Sequence, residues 1–191
     1  MKLFTFLIII LLLLFFFHNR TFSKRKYVVS TIDNKRYLVQ KKTKAQETKS
    51  ANMIAELVKR KNILCNYLES NSKYQNKYEV KRLLNNQYVE IEEKSFKYKD
   101  QVAYSINKGE KIGICLRNKQ GKYEDMNTGF FVLMHELAHV MSKDYGHHEK
   151  FWNNFSLLIK AAIECKVYTY QSFDNYTNFC GLEITYTPYK K

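Results

Sequence analysis

Apolar and polar positions change period several times along this chain, and each change predicts an element. Residues 3–17 are apolar throughout except for Thr5, with no polar face. A helix there spans about 22 Å, near the lower limit for crossing a hydrocarbon core once Met1 and His18 or Asn19 are added. Residues 27–32 and 36–40 are β-branched and aromatic runs around Asp33-Asn34-Lys35, which predicts a β-hairpin. Helical spacing follows over residues 49–69, where Ile54, Leu57, Val58, Leu64, Cys65 and Leu68 form one stripe interrupted by Lys61. A shorter helix is predicted over 77–84, then strands over 88–91, 102–106 and 112–116, the last two joined at Asn107-Lys108-Gly109. From Phe130 to Met141 the chain is apolar nearly all round a helix, so that helix is buried. Asp125 or Asn127 can cap it. Residues 149–165 carry Phe151, Phe155, Leu158, Ile159, Ala162 and Ile163 at helical spacing and predict a second helix packed on the first. A last strand is predicted over 182–186. The order of elements implies an α+β domain with a small, mainly antiparallel sheet.

The buried helix carries the chemistry. His135 and His139 stand four apart, with Glu136 beside the first. Residues i and i+4 share one helix face, so two imidazoles can grip one metal ion. Glu136 projects beside that ion, where a carboxylate can take a proton from an activated water. This is the H-E-x-x-H signature of zinc peptidases. Incidental histidines on a surface helix are the bland alternative, and the apolar surroundings argue against it. Buried imidazoles beside a carboxylate need partners. Catalytic zinc usually takes three protein ligands and keeps one position open. His147 and His148 follow Gly146, a residue that can turn the chain back towards the metal, and either can reach it.

The stretch H-E-L-A-H, seven further residues, then G-H-H-E-K-F-W-N-N-F resembles the WLM metallopeptidase family, a relative of the SprT and Spartan proteases that digest proteins crosslinked to DNA. The likeness extends upstream through residues 104–117 and 125–128, downstream through 179–184, and to the short WLM-like proteins of large double-stranded DNA viruses. It implies a zincin-like fold with His135, His139 and His147 as ligands of Zn2+ and Glu136 as catalytic base. His148 stands where these relatives commonly have Asp, Asn or Gly, and it is the alternate ligand or a supporting group behind it. The implied function is a zinc-dependent endopeptidase acting on a protein or peptide substrate. A non-catalytic, membrane-tethered binding or scaffold protein with a zinc-stabilised fold is the alternative. Intact Glu136 argues against that, because a structural site needs no base. Tyr145 and His148 are the candidates for stabilising an oxyanion, and the predicted strands 102–106 and 112–116 for pairing with substrate.

Charge and hydropathy add a second theme. Basic residues exceed acidic ones by 14, and residues 18–50 alone carry ten basic and two acidic side chains. Such a block suits contact with DNA or anionic lipid. The expected division is therefore an anchor over 1–19, a basic segment with a hairpin over 20–49, and the WLM-like domain over 50–191. Segment 3–17 lacks a good signal-peptide cleavage site, which favours a single-pass membrane anchor over a cleaved signal. Arg20, Lys24, Arg25 and Lys26 on its C-terminal flank favour a cytosolic catalytic domain. Cys65, Cys115, Cys165 and Cys180 are widely spaced and signal no disulfide framework, so free thiols are expected. The sequons at Asn19, Asn154 and Asn175 then stay unmodified. No glycine-rich phosphate loop or other cofactor motif is present.

Overall fold

A computed structural model describes residues 6, 8–10 and 24–190 other than 87 and 99. Most of the segment expected to be an anchor lies outside these residues, and no helix among the described residues is long and apolar enough to cross a membrane. The elements are β1 (Arg25–Val29), β2 (Arg36–Gln40), α1 (Lys44–Ser70), α2 (Tyr78–Asn85), β3 (Glu90–Glu93), β4 (Ala103–Ile106), β5 (Lys111–Ile114), α3 (Met126–Met141), α4 (Glu149–Glu164), β6 (Thr177–Phe179) and β7 (Leu182–Ile184). The α+β class holds, but the central sheet is mixed where a mainly antiparallel one was expected. Its order is β3-β5-β4, with β3 parallel and β4 antiparallel to β5. Two antiparallel pairs, β1-β2 and β6-β7, complete the strands.

Local chemistry explains the boundaries. The first long helix begins at Lys44, ahead of the expected start, because Thr43 and Gln46 close a capping box. The proposed division at residue 50 thus falls inside α1. Asp125 caps α3 by accepting the Thr128 N–H at 2.8 Å. The turn between β4 and β5 places Asn107, Lys108 and Gly109 at positive φ. On the sheet, Tyr104 lies opposite Gly113, where an added Cβ would fall 2.1 Å from the Tyr104 ring. Glycine at 113 therefore lets that ring cross β5, and its hydroxyl donates to Glu92 at 2.8 Å.

Helix α3 is the centre of the molecule. Phe130, Leu133, Met134, Leu137 and Ala138 are wholly buried, and the helix packs against α1, α2, α4 and the sheet. Burial of this kind is the main source of stability. The basic hairpin is bound into the same body by charge. Arg25 pairs with Glu92 at 2.6 Å, Lys26 pairs with Glu47 at 2.6 Å, and the Gln40 N–H donates to Glu93 at 2.8 Å. Glu93 also receives Arg117 at 2.7 Å, with both side chains almost fully buried. Breaking such a pair leaves one charge uncompensated in a poorly solvated place. Arg117→Met should therefore destabilise the protein by roughly 3–5 kcal/mol, read from denaturant unfolding. A loss below about 1 kcal/mol would mean that water reaches Glu93.

The cysteines depart from expectation. Cys115 and Cys180 form a disulfide across 65 residues, while Cys65 and Cys165 are free. The partners are far apart in sequence, so only the fold brings them together. The bond joins the end of the central sheet to the turn between β6 and β7. Closing a loop of this length should contribute about 2–4 kcal/mol, so the double variant Cys115→Ser/Cys180→Ser should lose that much in chemical denaturation. Non-reducing peptide mapping should recover the crosslinked pair. An unchanged unfolding midpoint would show that the bond does not form in the protein.

Candidate metal centre and cleft

Two helices and the loop between them build the centre. Helix α3 presents His135 and His139 one turn apart, with ring centroids 5.0 Å apart. It ends at Ser142, whose hydroxyl donates to the Ala138 carbonyl at 2.8 Å and accepts from Asn154 of α4 at 3.0 Å. Arg82 donates to the Val140 carbonyl at 3.0 Å, which satisfies another group at the same helix end. This fixes where the loop departs. Gly146, at φ +89°, then turns the chain back, a conformation that side-chain-bearing residues rarely adopt. The result puts His147 Nε2 3.1 Å from His135 Nε2.

One donor nitrogen from each of His135, His139 and His147 lies within 4.8 Å of the others. Nitrogens bound to one tetrahedral zinc sit about 3.3 Å apart, so the donor set fits that ion with small adjustments. Among the described residues the group comprises these three side chains, which leaves a coordination position open. His148 is not brought into it. That residue is the N-cap of α4, is exposed, and is not among the residues lining the cleft. Of the two candidates for third ligand, the fold thus brings only His147 to the other imidazoles.

Burial tunes the groups. It lowers the pKa of His135 to about 3, with help from His139 and His147, and that of His139 to about 4, with help from His147. Both imidazoles are therefore neutral at physiological pH, and their lone pairs are available to a metal. Burial raises Glu136 to about 7. A divalent cation beside it would pull that value back down.

Sequence reasoning had placed Phe151 only in the packing stripe and the family motif. The fold gives it a further task. Its ring centroid lies 4.9 Å from His135, 4.4 Å from His139 and 4.6 Å from His147, so one buried ring backs all three imidazoles. Only i+4 periodicity and proximity to His147 signalled it in the sequence. Such support orients ligands, and its loss commonly costs 10–100-fold in metal affinity. Phe151→Leu should therefore weaken zinc binding by about 10-fold in a chelator competition while the fold is retained. Unchanged affinity would reduce Phe151 to packing alone.

The centre opens into a cleft of about 870 Å³ lined by His135, Glu136, His139 and His147. Edge strand β4 and residues 182–186 line it as well. Tyr145 also lines it, 80% exposed, with Lys108 Nζ 4.0 Å from its ring centroid. Of the two expected oxyanion candidates, Tyr145 thus reaches the cleft and His148 does not.

Comparison with known proteins agrees with this geometry. The model of the WLM domain matches residues 34–190. An uncharacterized protein of Acanthamoeba polyphaga mimivirus is 34% identical over 172 residues, covering 86% of this chain and 85% of that protein. An uncharacterized protein of Invertebrate iridescent virus 3 is 42% identical over 66 residues, 34% of this chain and 38% of the relative. One from Invertebrate iridescent virus 6 is 35% identical over 69 residues, 35% of this chain and 38% of the relative. No solved structure matches the chain. A domain match over most of the chain, together with three histidines converging beside a buried glutamate, places this protein in the WLM family.

Proposed function

We propose that this protein is a zinc-dependent endopeptidase. The observation that carries the reading is the juxtaposition of a three-imidazole cluster, one position short of closure, with a buried carboxylate in an open cleft. A structural zinc is usually closed by four protein ligands, and it needs neither a base nor a cleft. Bound zinc would supply Lewis-acid activation of water and of the scissile carbonyl. His135, His139 and His147 would hold and orient that ion. Glu136 accepts the proton of the attacking water on its carboxylate and returns it to the leaving amine.

Substrate binding follows from topology. β5 is paired on both sides, so of the two strands considered, β4 is the one with a free edge, and it lines the cleft. An extended peptide can add to that edge through backbone hydrogen bonds, which need no particular side chains. The zinc-loaded protein should therefore cut a disordered protein such as casein, stop on chelation, and resume when zinc is restored. Hydrolysis indifferent to chelation would overturn the reading.

Two further parts of the proposal concern partners. The apolar segment 3–17 would tether the enzyme to a membrane, and full-length protein should resist carbonate extraction. The disulfide bears on which side the domain faces, since such bonds persist in oxidising compartments. A crosslinked Cys115–Cys180 peptide from the native host, with a glycan on exposed Asn175, would place the domain in the lumen rather than the cytosol. The basic region 20–49 would meet DNA or anionic lipid. Arg25 and Lys26 are already engaged by Glu92 and Glu47, so that contact falls to other cations of the segment. Adding DNA to the casein assay measures whether it stimulates cleavage.

A further inference from the structure

The cleft beside the histidine cluster is lined by the β4 segment, α3, α4 and residues 182–186. Its β4 side continues into polar and charged groups at Asn107 and Lys108. Away from that segment the lining includes Val132, Trp152, Phe155, Leu182, Ile184 and Tyr186, with Glu183 and Thr185 interleaved in the last stretch. This wall begins at the metal ligands themselves. The Trp152 ring lies 5.6 Å from His147, and Phe155 lies 5.4 Å from His135. Tyr186 meets Trp152 edge-to-face at 5.4 Å and extends the aromatic surface outward. Val132 and Phe155 are buried and Trp152 and Ile184 half-buried, but Leu182 is 50% and Tyr186 54% exposed, so apolar surface faces the opening. Among the described residues lining the cleft, Asp100, Asp144 and Glu183 outnumber the single lysine, Lys108. The wall is also held in place. Residues 182–186 follow Cys180, which is joined to Cys115, and Phe179 is buried beside α3 at Gly129.

We propose that Trp152 and Tyr186 form a subsite selecting a large apolar side chain, aromatic or leucine-like, on a residue flanking the scissile bond. The inference rests on the peptidase reading. It adds specificity to a cleft whose strand edge recognises only backbone. Covering exposed apolar surface in a held recess is favourable, and the acidic excess among the lining side chains disfavours an anionic one. A glutamate there would lose solvation and meet like charge.

Trp152 is the chain's single tryptophan, so its fluorescence reports directly on this wall. The experiment uses full-length, zinc-loaded Glu136→Gln protein and short Gly/Ser peptides bearing Phe, Leu, Ala or Glu at one central position. The Phe and Leu peptides should shift Trp152 emission and bind roughly 10-fold tighter than the Ala and Glu peptides. Tyr186→Ala, a change at an exposed position, should remove most of that preference. Wild-type cleavage of casein should place large apolar residues beside the cut. Equal affinity for all four peptides, with zinc-dependent cleavage intact, would overturn the subsite and leave the peptidase. Selective binding of Phe and Leu without any cleavage by the wild type would do the reverse.

Discussion

Glu136→Gln should abolish peptide hydrolysis while leaving zinc in place. The substitution keeps nearly the same volume in a buried site, and the three ligating imidazoles are untouched. An amide at this position cannot accept a proton from water. Loss of a general base typically costs about 100-fold or more, and the effect should appear in kcat rather than in substrate affinity. Metal content by mass spectrometry and cleavage of casein by gel separate the two properties in one preparation. An active variant with full zinc would assign the hydrolysis to another group or to a contaminating protease. The double result, metal kept and turnover lost, also excludes the scaffold alternative, since a binding protein has no turnover to lose.

Removing a ligand should have the second largest effect. His135→Ala and His139→Ala each delete one of two donors fixed on the same buried helix, and each should lose the bound zinc. In a metal-linked fold the binding free energy adds to stability, so chelation of the wild type should lower its melting temperature. The ligand variants should start from that lowered value and not respond to chelator. His147→Ala should weaken zinc strongly, whereas His148→Ala should not, because the α4 N-cap holds His148 outside the cluster. Stoichiometric zinc in both helix variants would refute the site. The reverse order for the two loop histidines would move the third ligand to His148.

Position in the fold is the reason to expect these variants to separate. His135 and Glu136 are adjacent on α3, yet one lies in the imidazole cluster and the other is a buried carboxylate lining the same cleft. The helix is rigid because its faces pack on α1, α2, α4 and the sheet. A site carried on a packed helix and backed by one aromatic ring, Phe151, is held in advance of substrate arrival. That is the condition under which positioning contributes to rate.

Much of this was legible in the chain because it is local. Spacing of four on a helix puts His135 and His139 on one face whatever the rest of the fold does. An apolar surround declares that helix buried, and the H-E-x-x-H and G-H-H-E-K-F-W stretches are contiguous in sequence. Helix α4, hairpin β1-β2 and the β4-β5 turn follow from periodicity and turn residues over short windows. Only the tertiary structure decided the rest, because it depends on residues distant in sequence. The family likeness had pointed to His147 over His148, but which side chain comes to the other imidazoles depends on the direction in which the loop leaves α3, where Ser142, Asn154 and Arg82 hold the helix end. The parallel pairing of β3 with β5 and the free edge of β4 are matters of strand order, to which the alternation within one strand is blind. The buried Arg117–Glu93 pair and the Cys115–Cys180 bond join partners 24 and 65 residues apart, with no local pattern to announce either. Even the apolar lining of the cleft is assembled from α3, α4, β7 and the residues just after it, since helical or strand period shows only which side of its own element a residue occupies.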